Sequence, residues 1–433
     1  MTDRERVLHQ PLRRMTGRDP HERGRAASTL ELLFDLAFVV AFSLAGTQLA
    51  HFIAEGHTWL GLAGYGFTLF GICWAWINFS WFASAFDTDD WAHRLTTLVQ
   101  MVGVVVFALG IVPMFHSLDP ALHEPGAAPH LDNSIIVAGY VIMRIAQIGQ
   151  WIRVAVQAPE HRRTAIGYIV TLTVAQLVWV LMIVLQQSLL WALLTGAVAL
   201  IIELVGPFLG ERMHETPWHA HHIAERYGLL TIIAIGETVV GTVISLQALF
   251  EVQGLSADLL VLAVAGVGLA FGMWWTYFTL PAGEVLHHER SRKSFPWGYG
   301  HIPVFGAIAA VGAGLHVAAY AVEDPEHVSA LRAVVAVAVP VALYLLAVAA
   351  IGVWLVGWAK SRFEVLAMLG SVAAIGLAVA LAAGGVPLAI CLLLVMLAPA
   401  IQIIADEVTG ARSRVRALER YEAAHPGGPA HPA

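Results

Sequence analysis

Long apolar runs separated by short polar breaks fill the chain from residue 30 to residue 405. A helix needs about 20 mostly apolar residues to cross a bilayer core of about 30 Å. By that measure the pattern predicts twelve spans: 30–54, 59–82, 92–115, 133–156, 164–186, 189–210, 223–250, 257–281, 299–321, 329–356, 363–384 and 386–405. The apolar positions run continuously rather than alternating, which selects helices over a barrel. The predicted fold class is an all-α, polytopic transmembrane helical bundle. Neighbouring spans stand closest at Gln186-Gln187-Ser188 and at Gly384-Gly385-Val386-Pro387.

Composition narrows the class further. Of 433 residues, 58% are hydrophobic and only 13% charged. A soluble domain carries about 25% charged residues, so an ordinary soluble enzyme is excluded. A disordered chain is excluded too, since it needs low hydrophobicity. The net charge of −7 argues against a nucleic-acid partner. Cys73 and Cys391 both sit in apolar runs, which leaves no disulfide framework and no paired-cysteine zinc motif.

Charge distribution predicts the topology. Residues 1–29 are polar, hold seven arginines and lack an apolar core of their own, so they read as a cytoplasmic tail rather than a cleavable signal. With the N-terminus inside, the outer segments 55–58, 116–132, 187–188, 251–256, 322–328 and 384–386 contain no Lys or Arg. The inner segments carry Arg162, Arg163, Arg290, Arg292, Lys293, Lys360, Arg362, Arg412, Arg414, Arg416 and Arg420. Arg332 alone lies at an outer end. The positive-inside rule therefore puts both termini on the cytoplasmic side of the membrane. The organisation reads as an N-tail (1–29), a first six-helix half (30–210), a histidine-containing linker (211–222), a second half (223–405) and a C-tail (406–433). Trp74-Ala-Trp76 near the end of span two, with Asp87, Asp89, Asp90 and His93 after it, parallels Trp274-Trp275 near the end of span eight with His301 after it. Two parallel six-helix repeats explain that likeness; gathering of aromatic residues at the membrane interface is the other explanation.

Charged groups within the spans need a partner or a wet cavity, because each costs at least about 2.5–3.5 kcal/mol at the helix centre. Glu31 and Asp35, four residues apart, share a face at the inner end of span one. They suit proton or cation handling, or else they bind arginines of the N-tail. Arg144 lies near mid-span with Gln147 on the same face, too deep to snorkel out. Glu237, near the middle of span seven, is its expected carboxylate, with Gly236 beside it to admit a neighbouring helix. The pair reads either as a substrate or ion site or as an internal staple. His222, Glu225 and Arg226, at i, i+3 and i+4, are expected to face one side at the inner interface. They would form a gate or vestibule, or merely cap the helix and meet headgroups. Glu203 and Glu364 are placed in the inner part of the membrane; with Gln48, His51 and His316 they could make a stepwise polar path. Of the 20 histidines, His219 and His222 are spaced to share a metal, but no metalloprotease motif is present and solvated loop histidines are the simpler reading. No Walker, dinucleotide or Gly-x-Ser-x-Gly motif appears, so no cofactor is expected. Gly206/Gly210 and Gly268/Gly272 match small-xxx-small helix packing.

Leu30-Glu31-Leu-Leu-Phe34-Asp35-Leu-Ala-Phe38, followed by Thr47-Gln48-Leu49, resembles the first-helix motif of the bacterial low temperature requirement protein A family. His222-Ile-Ala-Glu225-Arg226-Tyr-Gly228 running on to Gly236-Glu237 resembles that family's most specific stretch, and Trp274-Trp275-x-Tyr277-Phe278 and Tyr299-Gly-His301-Ile-Pro303 also fit. Ala37 departs from the pattern, where the family more often has a larger apolar residue. The resemblance covers nearly the whole membrane region. It implies a multi-pass inner-membrane protein linked by name to growth in the cold, and it singles out Glu31, Asp35, Glu225, Arg226, Glu237 and His301 without giving them roles.

These readings combine into an expected non-enzymatic membrane protein whose partners are the lipid bilayer and a small solute or ion. The leading function is proton- or ion-coupled transport of that solute, with Arg144, Gln147 and Glu237 at mid-depth, Glu31 and Asp35 toward the inside, and His222, Glu225, Arg226 and His301 at an inner vestibule. A non-transporting sensor or scaffold is the second class, and an intramembrane lipid enzyme using His222 and Glu225 the third.

Overall fold

The computed structural model describes residues 12–119, 131–185, 189–288, 290–357 and 362–410, with Val415 and Glu419 beyond them. The break at Gln186-Gln187-Ser188, Lys360 and the arginines from Arg412 to Arg420 lie outside the described residues.

All regular structure among the described residues is helical, and twelve helices are long and apolar enough to span a membrane. They are α1 Thr29–Ala54, α2 Thr58–Phe86, α3 Trp91–Leu118, α4 Ser134–Gln157, α5 Pro159–Val184, α6 Leu194–Met213, α7 Ala220–Gln253, α8 Ala257–His288, α9 Lys293–Glu323, α10 Ala330–Val356, α11 Arg362–Ala383 and α12 Leu388–Gly410. Each predicted span meets one of them. The ends run past the apolar stretches where polar residues continue the helix, as at Ala282–His288 and in the π turn Asp406–Gly410. Leu36, Val105, Ile145, Leu177, Val264 and Leu369 are all exposed. Such a surface would aggregate in water and is the normal one against lipid.

The chain divides into two compact units. Unit 1 comprises Met1–Leu44 and Phe70–Ile223; unit 2 comprises Ala45–Leu69 and Ala224–Ala433. The second half of α1 and the first half of α2 therefore group with unit 2. In unit 1, α3 packs on α4, α4 on α5 and α5 on α6, and Trp74 of α2 reaches Glu203 of α6. In unit 2, α9 packs on α10, α10 on α11, α11 on α12 and α8 on α12. The same order recurs six helices on.

Small residues decide where the backbones touch. A Cβ added to Gly139 would lie 2.2 Å from the Phe107 nitrogen, so α3 and α4 cross in direct backbone contact. The predicted small-residue pairs do pack closely: Gly206 and Gly210 of α6 receive Thr171 and Tyr168 of α5, and Gly268 and Gly272 of α8 receive Met396 and Pro399 of α12.

Candidate functional site

The densest buried polar group in unit 1 surrounds Arg144. Arg144 lies on α4 with 1% of its surface exposed. Its guanidinium faces Glu203 of α6 at 3.3 Å, donates from Nη1 to Gln147 Oε1 at 2.7 Å, and donates from Nη2 to the Tyr140 hydroxyl. Glu203 accepts two further bonds, from Trp74 Nε1 of α2 at 2.8 Å and from Gln176 Nε2 of α5 at 3.0 Å. Four helices thus converge on one ion pair. Three polar atoms in the cluster are buried with no hydrogen-bond partner among the described residues: Arg144 Nε, Gln147 Nε2 and Gln176 Oε1. Pro207 lies one turn after Glu203 in α6 and has no N–H to give the Glu203 carbonyl.

Here the structure corrects the sequence reading. The carboxylate paired with Arg144 is Glu203, not Glu237. Both charges satisfy the requirement that a mid-span guanidinium meet an anion. The choice rests on α6 turning the Glu203 face toward α4, which hydropathy does not encode. Gln147 is where its i, i+3 spacing put it. Trp74, Tyr140 and Gln176 were missed as members. A lone Gln176 in an otherwise apolar turn was the available signal.

The second polar group of unit 1 lies where α1, α2 and α7 meet the N-tail. Glu31 faces His222 Nε2 at 3.2 Å and accepts from the Ser28 backbone at 2.8 Å. Asp35 is fully buried and accepts from Trp76 Nε1 at 2.6 Å. His222 N donates to His219 Nδ1, and His219 Nε2 meets the Glu22 carbonyl at 2.9 Å, so these two rings turn to other partners than a common metal. Among the described residues no three metal-binding side chains group together. Burial holds His219 below the usual histidine value; the Glu22 carbonyl opposes this and nearby His221, Arg25 and His222 reinforce it. Residues 12–28 are held across this end of the unit. Met15 is buried, the Arg18 backbone donates to Ala85 O and Arg25 Nη2 donates to Ala83 O at 3.0 Å.

His222 and Arg226, one turn apart, are both buried, whereas Glu225 is exposed. The expectation that all three share a face fails at Glu225. A spacing of three advances a helix by about 300°, which leaves room for a third residue to fall over the edge of a narrow buried stripe.

In unit 2, Glu237 is buried on α7 at its crossing with α9. A Cβ on Gly312 would lie 2.6 Å from the Glu237 carbonyl, and one on Gly241 would lie 2.6 Å from the Gly312 carbonyl. Gly236 has open space where its Cβ would point, so the close approach predicted there is made by Gly241 and Gly312. His301 of α9 is fully buried. Its Nδ1 is 2.7 Å from the Trp297 carbonyl and its Nε2 is 2.9 Å from the Tyr277 hydroxyl. Since a carbonyl only accepts, Nδ1 carries the proton, and Nε2 can accept from Tyr277. Tyr227, Trp297, Tyr277 and Phe305 wall the ring in.

Residues 26–399 match the family model described as bacterial low temperature requirement A protein (LtrA). An uncharacterized protein of Rhizobium meliloti (strain 1021) is 26% identical over an alignment of 306 residues that covers 66% of this chain and 68% of that protein. No solved structure matches the chain.

Proposed function

The chain belongs to the bacterial low temperature requirement A family, and on that footing we propose that this multi-pass membrane protein is a proton- or ion-coupled transporter of a small solute. The observation that carries the reading is the Arg144–Glu203 pair, buried at mid-span with unpartnered polar atoms around it. A structural staple gains nothing from leaving Arg144 Nε, Gln147 Nε2 and Gln176 Oε1 unbonded, because each unmade bond costs about 1–3 kcal/mol. A site that receives polar groups transiently has use for all three. In the proposed cycle Glu203 takes up a proton, its attraction for Arg144 falls, and the guanidinium turns to an anionic or polar group of the solute. Gln147 and Gln176 supply a donor and an acceptor beside it. Pro207, inside α6, removes one helix hydrogen bond and gives the helix a place to bend. The positive-inside distribution supports an orientation with both termini cytoplasmic, in the inner membrane that the family resemblance implies.

The test is flux from reconstituted liposomes under a pH gradient, comparing the native chain with Glu203→Gln and with the double replacement Arg144→Met/Glu203→Leu. Removing one partner of a buried pair costs about 3–5 kcal/mol, while replacing both with apolar residues is often neutral, so the double variant controls for folding. Proton or cation flux in the native chain, lost in a double variant that melts normally, is the expected result. Undiminished flux in that variant rejects the site.

One observation favours a second reading, a sensor or scaffold in which the pair only ties helices together. The crevice against Glu203, lined by Asn78, Tyr168 and Pro207, is too narrow to seat a water. Under that reading the double variant retains full biological activity.

A further inference from the structure

Unit 2 contains a cavity of about 940 Å³ between the α1–α2 hairpin and the α9–α10 pair. Its walls are almost wholly apolar, with Leu62 and Leu69 on one side and Pro303, Ala310, Val339 and Leu343 on the other. Val339 and Leu343 are half exposed, so one side of the hollow opens laterally. Small residues and prolines make the space, and the Tyr65 hydroxyl closes its floor by donating to the Gly306 carbonyl at 2.7 Å.

Polarity is confined to one end. Thr58, Ser329 and Arg332 line the cavity where α1 ends and α10 begins. Arg332 Nη1 donates to the Ala54 carbonyl at 2.6 Å and to His327 O at 3.5 Å. Its Nε and Nη2 make no hydrogen bond among the described residues, and the side chain is partly exposed. This is the one Lys or Arg that the charge pattern places at these helix ends. Carboxylates lie on the segments that supply its carbonyl partners. Glu55 follows the Ala54 carbonyl that Arg332 holds, and Asp324 and Glu326 stand exposed in the turn that supplies the His327 carbonyl. The cavity therefore has an apolar body, and its mouth carries Arg332 with carboxylates on the neighbouring segments, of which Glu55 also meets His327 Nε2 at 3.6 Å.

We propose that this groove binds a single zwitterionic phospholipid of the ethanolamine type from the leaflet at which α1 ends. Its phosphate sits on the two free donors of Arg332, and its ammonium faces Glu55 and the Asp324–Glu326 turn. An acyl chain lies along Leu62 and Val339 toward Pro303. An anionic headgroup lacking the ammonium would place its second polar end against the carboxylate rim unpaired, which selects the zwitterion.

Native mass spectrometry of the full chain, titrated with phosphatidylethanolamine or phosphatidylglycerol of identical acyl chains, tests this. The expected result is one retained phosphatidylethanolamine, held in preference to phosphatidylglycerol. Arg332→Gln lowers its retention roughly tenfold, the equivalent of one charge-assisted contact. Ala310→Phe, which fills the groove without touching the mouth, lowers retention of both lipids, and Glu55→Gln erases the preference between them. Glu55 is exposed and Arg332 partly so, and the melting temperature of each variant separates lost lipid binding from a lost fold. Equal or stronger retention of phosphatidylglycerol by the native chain overturns the headgroup assignment. Retention unchanged in both Arg332→Gln and Ala310→Phe overturns the groove.

Discussion

Four N–H groups converge on the carboxylate of Asp90, the residue that caps α3. They come from the backbones of Arg13 and His93 and from both terminal nitrogens of Arg153. Burial alone would raise this carboxyl, but the Arg153 guanidinium and the two backbone donors outweigh it and hold it well below the usual range. Asp90 thereby ties the N-tail to α3 and α4. Because its folded pKa is lower than the unfolded value of about 3.9, it contributes stability at neutral pH. That contribution is lost as pH falls below about 4 toward the depressed value. Asp90→Asn is expected to free the tail at pH 7, speeding trypsin cleavage after Arg13 and Arg14 by about tenfold, the equivalent of roughly 1.4 kcal/mol. A fluorophore on Thr16→Cys should report an acid release below about pH 4 in the native background that is absent in Asp90→Asn. Identical acid transitions in the two backgrounds would show that another group holds the tail. Arg144 belongs to the same scale. That it needs an anion was legible from its depth alone, and Gln147 from its spacing. Glu203 was not legible, because two carboxylates in separate spans met the same requirement.

At the scale of elements, helix contacts turn on single atoms. Gly241 and Gly312 bring α7 and α9 into backbone contact, and Thr238 and Ser245 hydroxyls donate to the Ile308 and Leu315 carbonyls on either side of it. Gly236, one and a half turns earlier, faces open space. Gly241→Ala is expected to push the helices apart and cost about 1–3 kcal/mol. Gly236→Ala should be neutral or stabilising by about 0.5–1 kcal/mol, since alanine is the better helix former. Thermal melting in detergent distinguishes them, and equal effects would mean that the crossing does not lie at Gly241. The existence and order of all twelve helices were readable from hydropathy, because a membrane span is a local property. Which glycine lies against a neighbour was not readable, since that depends on how each helix is rotated.

For the whole molecule, the division into units follows packing rather than chain order, with residues 45–69 grouped among later helices. Topology is open to direct measurement. Cys73 and Cys391 are both buried, which leaves the native chain silent to a membrane-impermeant maleimide. Glu326→Cys is expected to label in intact cells, and Glu160→Cys only after permeabilisation; both positions are exposed. The reverse pattern would invert the membrane orientation. What the amino-acid sequence determined by itself was the class, the number of spans, the expected sidedness and the need for partners around its few buried charges. Each follows from the cost of placing polar groups in hydrocarbon, paid residue by residue along the chain. The tertiary structure alone decided the pairing of Arg144 with Glu203, the exposure of Glu225, the contact at Gly241 and the groove beneath Arg332. These depend on helix rotation and neighbour choice. Apolar faces of similar hydropathy are interchangeable to lipid, and only close packing tells them apart.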